Sequence, residues 1–407
     1  MSIQLTQDQQ DAYAAIITLV TTNQQTLVIE GGAGVGKTTL MNTFMDEWPQ
    51  FVSLSGGAFK DIEVVLTATT NKAADALANA TKRECVTIHS LLGLRVQNIG
   101  YGRTKIMDTG KSGLADQVVV IDEASFIDKE LLAYIQNKLR NCKVIFLGDP
   151  NQLKPVGSDV TPVFNAGYPT VTLNQIVRQS DDSPIQALSR GLRSLVEGAP
   201  MPSAGVDGVN IIHMPQKDFE AAFVQDVLNN PVNSVRALAW TNKRAIYFNE
   251  IVSLARNGSP EIQIGDVVNV NKQHRINRNF RFATDSTFQV IGLGQWRVDQ
   301  SGIESREVQT SFGVSVWQPR NMTDVLGAAK RMYDTDQHTK GDWIMEHYAD
   351  LRLMYASTVN KAQGSTYDTV YIDLNDIGGC RDKDQVNRML YVAVSRARNK
   401  VVFTGDI

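Results

Sequence analysis

The chain has 407 residues, 43% of them apolar and 20% charged, enough for sizeable cores and for roughly two to four units of ordinary domain size. Forty Lys and Arg against 43 Asp and Glu leave a net charge of −3, which excludes a global basic field for grasping nucleic acid and leaves only local stripes open. No apolar run approaches the roughly 20 residues that a bilayer crossing requires, and Met1-Ser2-Ile3-Gln4 lacks a signal-peptide pattern, so a soluble cytoplasmic protein without a membrane partner is expected. Cys85, Cys142 and Cys380 are scattered, and no histidine stands at ligand spacing from them. Neither a disulfide framework nor a zinc site is expected.

Residues 6–20 read as a helix with Tyr13, Ile16, Ile17 and Val20 on one face. An apolar strand at 26–30 then runs into Gly31-Gly32-Ala33-Gly34-Val35-Gly36-Lys37-Thr38, and a helix carrying Leu40, Met41, Phe44 and Met45 follows. Residues 63–67, 117–121 and 143–147 are further buried-strand candidates. Strands of this kind separated by helices predict an α/β fold with a parallel sheet covered on both faces. The pattern restarts after about residue 178, with strands at 235–240, 369–374 and 400–404 and a helix at 384–397. Between about 265 and 350, Gly and polar residues interrupt short alternating stretches such as 287–291 and 314–317, which predicts a small β-rich insertion.

The segment 31–38 matches G-x-x-x-x-G-K-[ST] in its proper place between strand and helix. Gly32, Gly34 and Gly36 let backbone N–H groups curl around phosphate, and the helix N-terminus adds partial positive charge. Lys37 is expected to reach the β- and γ-phosphates of ATP, with Thr39 beside it and the Thr38 hydroxyl on Mg²⁺. Asp122 and Glu123 end the apolar run 118–121, at the ligand edge of a parallel sheet. Asp122 is expected to hold Mg²⁺ through water, and Glu123 to orient and deprotonate the attacking water. Gln152, in the loop after the third strand, is placed to contact the γ-phosphate; an ordinary strand-to-turn element explains Gly148-Asp149-Pro150 almost as well.

Further segments, 5–9, 66–74, 87–92, 173–179, 238–242, 355–365 and 385–398, follow in an order that resembles the superfamily 1B DNA helicases, in particular small bacteriophage-type members of the RecD-like family. The resemblance covers most of the chain. It implies two tandem RecA-like P-loop domains, 1–177 and 178–265 plus 350–407, with 94–116 as a pin insertion and 266–349 as an SH3-like insertion. It implies that Gln9 reads adenine, although Thr6 and Gln9 also form a helix capping box. Arg178 and Arg396 become arginine fingers, and Gln363 and Gly364 touch nucleotide.

For DNA, the resemblance implies contacts from Thr70, Asn71, His89, Thr241, Asn242, Thr358 and Asn360, with Asn360 standing where many members carry histidine. Tyr101, flanked by Gly100 and Gly102, is either a wedge at the fork or an exposed hairpin tyrosine. Lys272, Arg275, Arg278 and Arg281 are either a phosphate track or a solvated face. The implied activity is ATP-dependent 5′→3′ unwinding by a monomer on single-stranded and forked DNA, in phage replication or recombination, with a single-strand-binding or replisome protein as a further partner. A translocase that strips proteins without unwinding, a P-loop small-molecule kinase or ATPase, and a nucleic-acid clamp without turnover are the alternatives.

Overall fold

The computed structural model describes residues 4–98, 104–155, 161–175, 183–231, 233–277 and 280–406. Its first helix, Gln7–Thr21, starts where Thr6 and Gln9 exchange capping bonds, and it buries Ala12, Ile16, Leu19 and Val20. That apolar stripe lies on a six-stranded parallel sheet, ordered Thr170–Leu173, Thr26–Gly31, Lys143–Gly148, Val118–Asp122, Val64–Ala68 and Val86–Thr87. Period-two alternation divides the strands between two cores. Leu27, Ile29, Val120 and Ile145 face helices Gln7–Thr21 and Lys37–Leu54, whereas Val28, Val119, Ile121 and Phe146 face Ile88, Leu131 and Ile135 on the other side. Both faces are covered, which is why these strands read as continuous apolar runs.

A second parallel sheet has the order Ile211–His213, Ala397–Thr404, Tyr367–Asp373, Val235–Ala239 and Ala356–Thr358. Helices Pro184–Val196 and Lys383–Ser395 cover one face through Ile185, Leu188, Leu192, Met389 and Leu390. Helices Gln216–Asn229 and Asn242–Asn257 cover the other through Phe219, Phe223 and Phe248, whose rings pack on each other and on Tyr371. Two α/β units built on parallel sheets are thus the frame of the molecule.

The expected β-rich insertion is an antiparallel sheet of Val267–Val270, Thr287–Leu293, Arg297–Val298, Glu304–Thr310 and Ser315–Pro319 around Val268, Val290, Val308 and Val316. Two features depart from the sequence reading. Strand Leu351–Leu353 pairs with Val267–Val270, so the insertion holds the chain past residue 350 and the second parallel sheet resumes only at Ala356–Thr358. The insertion also carries a helix pair, Met322–Asp334 and His338–His347, with its own core of Val325, Ala328, Tyr333 and Ile344. The polar second helix gives little apolar periodicity. It packs because Gly341 lets the Tyr333 ring approach to where a Cβ would meet it at 2.5 Å.

Within the segment expected to be a pin, Leu94–Asn98 and Thr104–Asp108 pair as antiparallel strands. Tyr101 lies outside the described residues, as does Arg278.

One titration follows from the insertion's packing. His274 is 6% exposed, and burial together with nearby His347 lowers its pKa to about 4. The unfolded chain binds this proton near pH 6.5 and the folded chain does not. Stability is therefore full above about 6.5 and falls by up to about 3 kcal/mol as pH drops toward 4. Denaturant melts across that window are expected to lose this part of the slope in His274→Gln.

Candidate active site

Strand Thr26–Gly31 delivers the glycine loop and helix Lys37–Leu54 receives it. Gly34 (φ 83°) and Gly36 (φ 80°) are left-handed, a backbone that side chains strain. Gly36 caps the helix without a side-chain bond, so the first-turn amides face an anion-binding concavity. Lys37 Nζ donates to the Gly31 and Gly32 carbonyls at 2.6 and 2.9 Å, folding across the loop. Thr38 and Thr39 follow it in the first turn, both half-buried.

Gln9, 1% exposed, performs two tasks with one amide. Its Oε1 accepts from Thr6 N–H at 3.0 Å, while Nε2 donates to the carbonyls of Val35 (3.1 Å) and Gly36 (3.4 Å). The side chain therefore ties the first helix to the phosphate loop; Nε2 donates to an adenine edge only by giving up one of its two bonds, while Oε1 keeps a lone pair with which to accept.

Asp122 ends strand Val118–Asp122, and Glu123 takes a left-handed backbone (φ 55°) immediately after it. Asp122 Oδ1 accepts from Glu123 N–H at 2.8 Å. Thr69 holds the same turn from the neighbouring strand, donating through N–H to Asp122 O (3.2 Å) and through Oγ1 to Glu123 O (3.0 Å). Burial raises the Asp122 pKa, opposed by the Lys37 charge. Burial first and Asp122 second push Glu123 up to about 7, opposed by Arg396 and Lys37. A carboxylate so poised suits a general base near neutrality. Thr38 and Asp122 supply hard oxygen donors beside the phosphate loop, which fits Mg²⁺ taking its other ligands from phosphate and water.

Residues of the second α/β unit close over this edge. Gln152, 4% exposed, accepts from Gln363 Nε2 at 3.1 Å through its Oε1. Arg388 donates from one guanidinium nitrogen to the carbonyls of Pro150 (2.6 Å) and Gln152 (2.7 Å) and pairs with Asp384 at 2.9 Å. The Tyr391 hydroxyl donates to the fully buried Asp149, and Arg193 Nε lies 3.7 Å from the same carboxylate. Gly364 (φ 72°) stands where a Cβ would lie 3.7 Å from Glu123 Oε1.

Arg396 is 6% exposed and donates to the Val392 and Ser365 carbonyls and to Ser395 Oγ, with its charge felt at Glu123. Arg178 lies outside the described residues. A cleft of about 460 Å³ opens between the phosphate loop and the second unit, lined by Gly32, Gly34, Arg190, Arg193, Tyr391 and Arg398.

Sequence reading missed Asp149, Arg193, Arg388 and Tyr391. A signal exists for part of this set. Asp384, Arg388 and Tyr391 recur at i, i+4 and i+7, the spacing that puts three polar groups on one face of the helix.

The residues expected to touch a nucleic-acid strand separate into groups. Asn242 and Thr358 line a small polar cleft of about 70 Å³ together with Lys72, Arg236, Asp285 and Lys361. There Lys72 Nζ donates to the Lys361 carbonyl at 3.1 Å, and Lys361 pairs with Asp285 at 2.9 Å. Thr70 and Thr241 are helix caps, accepting from Ala73 N–H and Arg244 N–H at 3.1 Å each, and Thr241 also donates to Asp376 at 2.7 Å. Asn71 is exposed and donates to Thr284 O of the insertion at 3.5 Å. His89, half-buried on helix Ile88–Leu91, has its pKa lowered by burial. Thr70, Asn71, His89 and Asn360 do not line the cleft. Lys72, Arg236 and Lys361, absent from the sequence-derived set, supply its positive charge. Lys272, Arg275 and Arg281 are all exposed.

Residues 4–199 match a family model described as an AAA domain, and residues 353–404 match one described as a UvrD-like helicase C-terminal domain. The ATP-dependent DNA helicase dda of Enterobacteria phage T4 is 20% identical, over 98% of this chain and 99% of its own length. The ATP-dependent RecD2 DNA helicase of Deinococcus radiodurans is 25% identical, over 93% of this chain and 47% of its own length. Among solved structures, a Pif1 helicase from Bacteroides in complex with ADP-AlF3 and ssDNA superposes with a TM-score of 0.53 at 16% identity. That match covers 100% of this chain and 94% of the other, and it shows a shared fold. Full-length similarity to one relative and both matched models support a superfamily 1B helicase of the Dda- and RecD-like kind.

Proposed function

We propose that the protein is an ATP-driven DNA helicase that moves 5′→3′ on single-stranded DNA and separates duplex at a fork. The observation that carries this reading is the cross-unit lock on the loop after strand Lys143–Gly148. Asp149, Pro150 and Gln152 from the first unit are held by Tyr391, Arg388 and Gln363 from the second. Whatever sits on Lys37 and Glu123 is thus read by both halves at once. Lys37 and the loop amides bind the triphosphate, Glu123 takes the proton of the attacking water, and Gln152 stands between that water and Gln363. Arg178 and Arg396 stabilise charge on the transferring phosphate. Mg²⁺, held by Thr38 and Asp122, would supply charge neutralisation at the phosphates. Release of the bridge lets the halves part, and strand contacts around Lys72, Asn242, Thr358 and Lys361 convert that motion into steps.

The similarity to the dda and RecD2 helicases supports DNA as the track and the resemblance supports the polarity; a monomer serving phage replication or recombination, alongside a single-strand-binding or replisome protein, belongs to the same reading. No described helix is long and apolar enough to cross a membrane. Unwinding of duplexes bearing a single 5′ or 3′ tail tests the proposal, with Lys37→Ala as control. Strand release from the 5′-tailed duplex alone is the expected outcome. Release only from the 3′ tail overturns the polarity, and DNA-stimulated hydrolysis without release from either overturns the helicase reading in favour of a translocase.

A further inference from the structure

We infer that Arg193 is a further cation, beside Arg178 and Arg396, through which the second α/β unit senses the terminal phosphate of a nucleoside triphosphate, an assignment that rests on the nucleotide reading above. Arg193 stands in the last turn of helix Pro184–Val196 and lines the cleft over the phosphate loop. Its Cδ and Nε come within 3.6 Å of the point where a Cβ on Gly32 would stand. From the other side, Lys37 Nζ donates to the Gly32 carbonyl at 2.9 Å. Gly32 is therefore flanked by two cations, one from its own loop and one from the opposite unit.

The charge on Arg193 is only loosely compensated. It lies 3.7 Å from Asp149 Oδ1 and 3.6 Å from Glu197 Oε1, both beyond hydrogen-bond length, and among the described residues its buried Nε has no hydrogen-bond partner. The two acids are better served by others. Asp149 accepts from the Tyr391 hydroxyl and from Asn151 N–H at 3.1 Å, and Glu197 accepts from Asn151 Nδ2 at 2.6 Å. A buried donor left in this condition has unused capacity for an anion, and a guanidinium fork matches phosphate oxygens. Phosphate above Gly32 and the Asp149 carboxylate then compete for one side chain. Arg193 changes partner when the triphosphate arrives, so occupancy of the loop is passed to helix Pro184–Val196.

Competition fixes the signs of two substitutions. Equilibrium titration of the full chain with fluorescent non-hydrolysable ATP and with fluorescent ADP reads them. Arg193→Gln is expected to weaken the triphosphate at least tenfold and the diphosphate less than threefold. Asp149→Asn, by freeing Arg193, is expected to tighten the triphosphate, and Arg193→Lys to fall between wild type and Arg193→Gln. Equal or absent losses for the two nucleotides in Arg193→Gln overturn the assignment. So does weakened triphosphate binding in Asp149→Asn, which is what a purely structural Arg193–Asp149 tie gives. Should Arg193→Gln fail to fold, as read from its thermal melt, Arg193→Lys and Asp149→Asn still carry opposite expected signs. A wild-type chain that binds neither nucleotide overturns the nucleotide reading itself, and with it this assignment.

Discussion

Glu123→Gln lowers kcat for DNA-stimulated ATP hydrolysis by about 10² to 10⁴-fold, the range lost with a positioned general base. Shape and hydrogen-bonding reach are kept, so the loss isolates the proton acceptor. The turn that aims Glu123 does not depend on its carboxylate. It is built from backbone bonds with Thr69 and from the Asp122 oxygen that accepts Glu123 N–H. ATP binding is therefore expected to stay within about threefold of wild type. Stability should not fall, because the substitution removes one of two half-buried neighbouring like charges whose mutual repulsion helps to raise the Glu123 pKa. Phosphate release, titration with a labelled ATP analogue and a thermal melt check the three statements separately. Wild-type turnover in Glu123→Gln would assign the base elsewhere. A lowered melting temperature would make Glu123 part of the fold's support.

Arg388→Ala is expected to reduce kcat about tenfold or more and to raise KM for ATP, with a small effect on the melt of each α/β unit. Its guanidinium makes two charge-assisted bonds to the carbonyls of Pro150 and Gln152, each worth about 1.5–3 kcal/mol where the charge is shielded from water. These bonds exist only while the two units are together, so their loss favours the open arrangement. About 1.4 kcal/mol on that equilibrium is already tenfold. Gln152 is then free to drift from Gln363, and the nucleotide meets an incomplete site. Small-angle scattering with a non-hydrolysable triphosphate should report a less compact chain for Arg388→Ala than for wild type. Equal compactness and equal kcat in the two proteins would exclude the tether from the catalytic cycle.

Local sequence was sufficient wherever chemistry depends on near neighbours. The phosphate loop announces itself because glycine adopts the left-handed backbone at Gly34 and Gly36 without strain, and because Lys37 and Thr38 must follow within one helical turn. Asp122 and Glu123 were readable from the apolar run that they terminate, since a buried parallel strand presents its last residues at the ligand edge. The first-helix cap was readable from Thr6 and Gln9 alone. Even the β-rich insertion was visible, through alternation of period two. The boundary error at 350 arose because Leu351-Arg352-Leu353 carries no mark of which sheet it joins; strand pairing is a choice among distant partners.

Tertiary structure adds roles that local spacing leaves unread. Thr70 and Thr241, read from sequence as nucleic-acid contacts, each also cap the helix that follows. Gln9 serves the cap and the loop together, because Val35 and Gly36 lie within reach of its free amide nitrogen. Lys72 and Lys361 gained weight only when the fold brought residues 289 positions apart to 3.1 Å. Composition and motif thus determined the class of the protein and the parts of its phosphate chemistry, since those depend on backbone conformations and spacings encoded within a few residues. The identity of the groups that close the site, Arg193, Arg388 and Tyr391 against the loop at Asp149, was decided by tertiary structure. They come from a separate sheet's helices, and their function exists only across an interface that no local spacing encodes.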